Sequence, residues 1–140
     1  MNRKDLYNTE GYKDPTPYAV FSSIEKEQRA RKFRPVVFIC SPYSGDVEQN
    51  LENARRYSRY AVLRGCVPIT PHLLLSQFMD DNDPDERNLA LRINLILLSK
   101  CAELWAFGSC ISEGMAQEIA RAKRKGKTVR YFTDSCKEVK

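Results

Sequence analysis

The residue best placed to do chemistry in this 140-residue sequence is Glu118, which follows Gly114 by four positions. Capping signals predict a helix around them, with Ser112 as its N-cap and Gly126 just past its end. Helical side chains lean toward the N-terminus, so the Glu118 carboxylate would project over the turn that holds Gly114, where no side chain blocks it. A carboxylate in that position can act as a nucleophile or accept hydrogen bonds from a sugar.

The same spacing also fits a simpler arrangement. Glu118 and Arg121 could form an ion pair on a solvated helix face, which would stabilise the helix by only a few tenths of a kcal/mol. Surface pairs of this kind are common and usually contribute little. On spacing alone the surface pair is the more frequent arrangement, so the residues by themselves leave both interpretations open.

The segments around this helix predict a ligand-binding strand–helix–strand unit. Leu104–Phe107 is a short apolar and aromatic run typical of a buried strand, and Thr128–Phe132 is the next strand. The loop between the first strand and the helix leaves unpaired N–H groups at the strand's carboxyl end. An anion or a sugar hydroxyl can bind there.

A second strand–loop–helix unit precedes it. Val36–Cys40 is a continuous apolar run, typical of a strand buried on both faces of a parallel sheet. A small-residue loop follows, and Asp46 caps a helix that closes at Gly65. In an open α/β sheet, ligands bind beyond the carboxyl ends of the strands where the strand order reverses. We therefore expect the loops of the two units to share one ligand.

The helix Asp85–Lys100 is apolar nearly all round, with leucine and isoleucine on opposite sides. A helix without a polar face is buried on both sides, so we expect one side to cover the sheet and the other to meet another helix or another subunit. We therefore predict a homo-oligomer that uses this helix. Asn94 sits among these leucines. A buried amide must be hydrogen-bonded, and either a structural partner or a ligand could supply the bonds.

Several kinds of site are not expected. The five cysteines form no CxxC pair and His72 is the only histidine, which argues against zinc. The acidic loop 80–85 lacks the glycine and glutamate of a calcium loop. An isolated histidine caps or packs more often than it contacts a ligand. We expect no metal or other cofactor, with His72 retained as a candidate for ligand contact.

Composition sets the broader expectations. The net charge of +5 suits an anionic ligand but decides little, and no nucleic-acid-binding motif is present. The sequence has no long apolar run and no cleavable leader, so we expect a cytoplasmic protein that does not bind membranes. Residues 1–34 are predicted to form an arm and an extra helix starting at Pro15. Residues 35–140 then form one domain.

Alternating β and α segments with buried strands predict the fold class. We expect an α/β domain with a flavodoxin-like or Rossmann-like doubly wound parallel sheet of about four strands. Three segments also resemble the nucleoside 2-deoxyribosyltransferase-like superfamily, closest to its small bacterial and phage domains of unknown function. The resemblance covers Pro35–Phe132 and is carried by FICSPYSGD, GCVPITPHLL and CAELWAFGSCISEGMAQEIARAKRKGK.

The most specific part of the resemblance is the motif Ser112-x-Gly114-x-x-x-Glu118. It implies that Glu118 is the nucleophile that attacks the anomeric carbon of the sugar. Ser112 is similar to the serine that helps hold the phosphate in the branch that cleaves deoxynucleoside 5′-monophosphates. The resemblance further implies that the first loop lines the sugar or phosphate pocket, through Ser41, Tyr43 and Gly45.

The sequence departs from the superfamily at two aspartate positions, which here are Asn94 and Ala102. Asn94 thus occupies a catalytic position with an amide, which cannot donate a carboxylic proton to a departing base. Two hypotheses follow. One is an enzyme that hydrolyses or transfers the N-glycosidic bond of a nucleoside or its 5′-monophosphate. The other is a module that binds or senses a nucleotide or phosphosugar without turnover.

Overall fold

A single sheet of five strands organises the computed structural model, which describes residues 33–140. The first four strands in its order are parallel, and the last is antiparallel to its neighbour. The spatial order is β2-β1-β3-β4-β5, and the strands are β1 (Val36–Cys40), β2 (Val67–Ile69), β3 (Glu103–Phe107), β4 (Thr128–Phe132) and β5 (Glu138–Val139). The predicted arm and extra helix of residues 1–34 lie outside the described residues, apart from positions 33 and 34.

Helices cover both faces of this sheet. They are α1 (Val47–Leu63), α2 (Pro71–Leu75), α3 (Pro84–Ser99) and α4 (Glu113–Arg124). Tyr57 and Ala61 of α1 pack on one face, while Leu98 of α3 and Met115 of α4 pack on the other. Residues 35–140 form one unit. The prediction of a doubly wound parallel α/β sheet is confirmed, with the short strand β5 added to the expected four.

Strand β1 explains why both faces are covered. Its side chains alternate, so that Phe38 and Cys40 enter the core under α3 and α4 while Val37 and Ile39 enter the core under α1. The chain leaves β1 toward β2 on one side and later returns to β3 on the other. The strand order therefore reverses at the carboxyl ends of β1 and β3, where Cys40 lies beside Ala106.

Helix α3 is buried on one side and exposed on the other. It begins after Asp83, whose side chain accepts a hydrogen bond from the Asp85 N–H at 2.9 Å, so its position agrees with the sequence pattern. Within residues 33–140, the buried side of the helix includes Leu98. Exposed apolar side chains remain on the other, with Leu89 at 49% and Ile96 at 60% exposure. Within residues 33–140, no helix is both long enough and apolar enough to span a membrane.

The exposed apolar side of α3 supports the prediction of self-association, which remains a prediction. Light scattering on the purified protein at about tens of micromolar should show a dimer or larger species, because mass action favours burial of this surface at high protein concentration. Leu89→Lys combined with Ile96→Lys should shift the population to monomer. The control Leu63→Lys alters an exposed leucine of α1 and should leave the assembly unchanged. A wild-type protein that is monomeric under these conditions would remove the basis for the interface.

Candidate functional site

A cavity of about 450 Å³ opens at the carboxyl edge of the sheet. Its walls come from the loop after β1, from α2, from α3 and from the first turns of α4. This volume lies in the range of small-molecule sites. The structure brings seven of the eight residues singled out in the sequence to its lining, namely Ser41, Tyr43, His72, Asn94, Ser112, Gly114 and Glu118.

Gly45 is the exception. It is exposed and is not among the residues that line the cavity. Its φ of +98° lies in the left-handed region, which a glycine adopts without strain. Gly45 therefore shapes the turn between β1 and α1 rather than the cavity wall, and the expectation that it lines the pocket is wrong.

Glu118 is buried, with 7% of its surface exposed, and it lines the cavity. The Cys40 thiol at the end of β1 donates a hydrogen bond to its Oε1 at 3.4 Å. The Glu118 side chain therefore points toward the sheet and the cavity. This burial rules out the alternative in which Glu118 and Arg121 form a surface pair on a solvated face.

Burial also changes the ionisation of this carboxyl group. Desolvation raises the pKa of Glu118 to about 7, although hydrogen bonds from Cys40 and Asn94 act in the opposite direction by stabilising the carboxylate. Near neutral pH the group is therefore present as both carboxylate and carboxylic acid. A carboxyl group of this kind can act as a nucleophile in one form and as a proton donor in the other.

Cys40 is a residue of the site that the sequence analysis does not single out, because the cysteines are considered there only as metal ligands. Burial raises its pKa well above the usual value, and the charge of Glu118 raises it further. The thiol therefore keeps its proton and remains a donor to the carboxylate. Side chains of β1 alternate between the two faces of the sheet, so Cys40 lies on the same face as Phe38. Helix α4 covers that face, and the alternation alone could have predicted that Cys40 lies under this helix.

Three buried polar atoms on residues of the cavity wall have no hydrogen-bond partner among the described residues: Ser41 Oγ, Ser76 Oγ and Asn94 Oδ1. Ser41 is only 2% exposed and Asn94 only 6%. A buried polar group without a partner costs about 1–3 kcal/mol. Hydroxyl or amino groups of a ligand in this cavity could supply the missing bonds, so these atoms indicate a polar ligand.

His72 anchors the loop that carries Ser41. Its Nε2 lies 2.8 Å from the Ser41 carbonyl oxygen, which can only accept, so Nε2 carries the hydrogen. The His72 ring also packs on Tyr43, with 5.0 Å between ring centroids. Burial lowers the pKa of His72, while the bond to Ser41 and the charge of Asp81 act to raise it. His72 thus both packs and lines the cavity.

The first turn of α4 forms the remaining wall. The Ser112 hydroxyl oxygen accepts a hydrogen bond from the Met115 N–H at 3.3 Å, as expected for an N-cap. A Cβ atom added to Gly114 would meet no other atom within 4 Å. Gly114 is exposed and lines the cavity, and the Glu118 side chain lies more than 4 Å from the added atom. The prediction that the glycine clears space directly in front of Glu118 therefore stays a prediction.

Charge around the cavity is strongly one-sided. Five of the lining residues carry a carboxyl group and only Arg87 carries a guanidinium. The acidic members are Asp80, Asp81, Glu86, Glu113 and Glu118. In residues 33–140, no group of three or more His, Cys, Asp or Glu residues is arranged to hold a metal ion. From the sequence, the acidic loop 80–85 is considered only as a calcium loop, and a carboxylate-rich wall is not predicted.

Comparisons with known proteins bear on the fold and the family. A family model described as a domain of unknown function (DUF7768) matches residues 35–132. A search of curated proteins by sequence finds no match. Among solved structures, a 2-deoxyribosyltransferase from the psychrotolerant bacterium Bacillus psychrosaccharolyticus is similar, with a TM-score of 0.58 and 15% identity, over 70% of this chain and 72% of that chain. At this identity the similarity shows a distant relationship of fold.

The pKa of Glu118 makes a prediction about stability. The ordinary value is 4.5 and the folded value about 7, so the protein binds this proton more tightly when folded and loses stability as pH rises between these values. Gln cannot ionise and avoids that loss. Between about pH 4 and pH 8, Glu118→Gln should therefore gain on the order of 3 kcal/mol in unfolding free energy relative to wild type.

Urea unfolding at both pH values measures this difference. The control Glu52→Gln changes an exposed carboxylate of α1 outside the cavity and should show no comparable dependence on pH. If the difference between Glu118→Gln and wild type is the same at both pH values, the carboxyl group ionises normally and its burial is not maintained in solution.

Proposed function

The chain belongs to this domain family of unknown function, and we propose that it binds a nucleoside-type ligand and cleaves or transfers its N-glycosidic bond through Glu118. The observation that carries the proposal is the buried Glu118 carboxyl group at the wall of a cavity. Ser41, Ser76 and Asn94 line the same cavity, and each carries a buried polar atom without a partner among the described residues. A concave site with convergent polar groups and one perturbed carboxyl group is the arrangement expected of an active site.

The geometry is suited to nucleophilic displacement at a sugar. The Glu118 carboxylate attacks the anomeric carbon, the bond to the base breaks through an oxocarbenium-like transition state, and a glycosyl ester of Glu118 forms. Water or a second base then attacks the same carbon and releases the carboxylate. Hydrogen bonds from Cys40 and Asn94 hold the carboxylate in place. Only the ionised form attacks, so the first step should become faster as pH rises through about 7.

The fold comparison supports the choice of ligand class. The similar solved structure is that of a 2-deoxyribosyltransferase, and the motif that contains Ser112, Gly114 and Glu118 is the part of this chain that resembles the corresponding superfamily. Ser112 and Gly114 line the same cavity as Glu118. Fold alone does not establish function. The proposed activity is therefore supported by these residues of the cavity and not only by the similarity of fold.

Asn94 supports a second candidate function. It is buried in the cavity wall beside Glu118, where an amide binds a ligand but cannot supply a carboxylic proton to a departing base. A module that binds or senses a nucleotide or phosphosugar without turnover would use the same cavity. Release of free base from nucleosides, measured by chromatography, separates the two candidates because only the enzyme produces it.

The variant Glu118→Gln tests the proposed function. Gln keeps the size of the side chain and can still hydrogen-bond, but it lacks the negative charge needed for attack. Base release should fall by roughly 10³-fold or more, while the Kd for the nucleoside, measured by calorimetry, should change little. Undiminished base release by Glu118→Gln would show that this carboxylate is not the nucleophile.

Gly114→Ala provides a control for the position of the site. No side chain outside the two neighbouring residues lies within 4 Å of the added Cβ, and alanine should stabilise the helix by up to about 1 kcal/mol. The methyl group takes up space in the cavity wall that Gly114 shares with Glu118, so ligand binding should weaken while the melting temperature rises. A stabilised variant with unchanged binding would place the ligand elsewhere. Glu52→Gln, outside the cavity, should keep both activity and binding.

A further inference from the structure

The cavity around Glu118 has an acidic lining, and the amide of Asn94 lies beside the Glu118 carboxyl group. A neutral base needs a proton from an acid in order to leave the sugar readily, and an amide cannot supply that proton. We propose that its substrate is an N-glycoside with a cationic base, such as a pyridinium nucleoside or a nucleoside of an N-alkylated purine. This inference rests on the proposed function and specifies its substrate class. Three observations carry it: the charge of the lining, the chemistry of the buried side chains beside Glu118, and the unpartnered buried oxygens.

The charge of the lining favours a cation over an anion. Five of the residues that line the cavity bear a carboxyl group, against the single guanidinium of Arg87. Charges of one sign in a cleft raise the local concentration of ligands of the opposite sign. Like charges brought into contact disfavour binding. A 5′-phosphate would add negative charge to this lining, whereas a positively charged base would reduce the repulsion among the carboxylates.

The side chains beside Glu118 match a base that leaves without a proton. Glu118 is contacted by the Cys40 thiol and by the Asn94 amide. The thiol has a strongly raised pKa, and the amide does not ionise, so neither is an effective acid near neutral pH. A neutral purine or pyrimidine leaves as an anion unless it is protonated, and general acid catalysis contributes about 10²–10⁴-fold to such a step. A cationic base needs no such help.

The buried oxygens give independent evidence for a polar ligand at this position. Ser41 and Asn94 are both more than nine-tenths buried, and Ser41 Oγ and Asn94 Oδ1 have no partner among the described residues. Asn94 Oδ1 can only accept a hydrogen bond. Sugar hydroxyls or the amide of a nicotinamide-type ring would donate to it, and its partial negative charge also favours a nearby cation.

The reaction balances without an external acid. The Glu118 carboxylate forms a bond to the anomeric carbon as the carbon–nitrogen bond breaks. The electron pair of that bond returns to the ring nitrogen, cancels its positive charge and releases a neutral base. Water then attacks the anomeric carbon, the carboxylate departs, and the proton of the attacking water enters solution. The net reaction converts a cationic nucleoside and water into neutral base, free pentose and one proton.

The experiment compares matched substrates. Wild-type protein is incubated with the nicotinamide nucleoside, with 7-methylguanosine and with guanosine, each in ribose and 2-deoxyribose forms, together with protein-free controls for spontaneous hydrolysis. The two cationic bases should be released at least roughly 10²-fold faster than guanine after that correction. Hydrolysis of the pyridinium nucleoside should release one proton per turnover, and Glu118→Gln should abolish it.

Cationic bases are intrinsically better leaving groups than neutral bases, so their faster release does not by itself show that the site lacks an acid. The decisive comparison is between wild type and Asn94→Asp. A carboxyl group there can supply the missing proton, and base release from guanosine should rise by roughly 10-fold or more, with a much smaller gain for the pyridinium nucleoside.

Asp81→Asn combined with Glu86→Gln should raise KM for the pyridinium nucleoside by up to roughly 10-fold relative to guanosine. Glu52→Gln should change neither KM.

The outcomes separate this inference from the proposed function. If guanosine or deoxyguanosine is cleaved as fast as the nicotinamide nucleoside and 7-methylguanosine, and this activity is lost in Glu118→Gln, the inference of a cationic base is overturned. That result would still support cleavage of an N-glycosidic bond through Glu118. Equal gains for both substrate types in Asn94→Asp would also overturn it. A 5′-monophosphate that binds more tightly than its nucleoside would contradict the electrostatic argument. No base release from any substrate would overturn both proposals.

Discussion

The contact between the Cys40 thiol and the Glu118 carboxyl group is the interaction on which the rest of the site depends. It joins the last residue of β1 to the second turn of α4, and its two partners are 78 positions apart in the chain. A carboxyl group buried at this depth stays charged only if other groups solvate it. The thiol and the Asn94 amide supply part of that solvation, so the group ionises near neutral pH. The protein thereby keeps an ionisable carboxyl group at the edge of its core.

The strand order and the surrounding helices place this contact at the wall of a cavity. Because the strand order reverses between β1 and β3, the loops after these strands diverge and leave a crevice at their carboxyl ends. The loop after β1 brings Ser41 to one side of that crevice, and His72 fixes it through the Ser41 carbonyl. Helices α3 and α4 supply the opposite walls. The buried polar atoms without partners lower stability by themselves, a cost that is common at functional sites.

Much of this arrangement could be predicted from the sequence, because regular elements follow from local patterns. The buried strands, the cap at Ser112 and the relation of Glu118 to Gly114 all depend on residues close together in the chain. The missed features depend on tertiary contacts. Cys40 contacts Glu118 only because α4 covers β1. Asp80, Asp81 and Glu86 become part of the cavity wall only when the chain folds. Gly45 shapes a turn and does not line the cavity. Burial of Glu118 separated two interpretations that spacing had left open.

In the proposed reaction, Glu118 forms a covalent bond to the sugar. Acid quenching during turnover of a nicotinamide nucleoside or a deoxynucleoside, followed by proteolysis and mass spectrometry, would detect this bond. The peptide containing Glu118 should gain the mass of one pentosyl group, and Glu118→Gln should show no such adduct and no turnover. Continued turnover in Glu118→Gln, or a pentosyl group found only on another residue, would show that Glu118 is not the nucleophile.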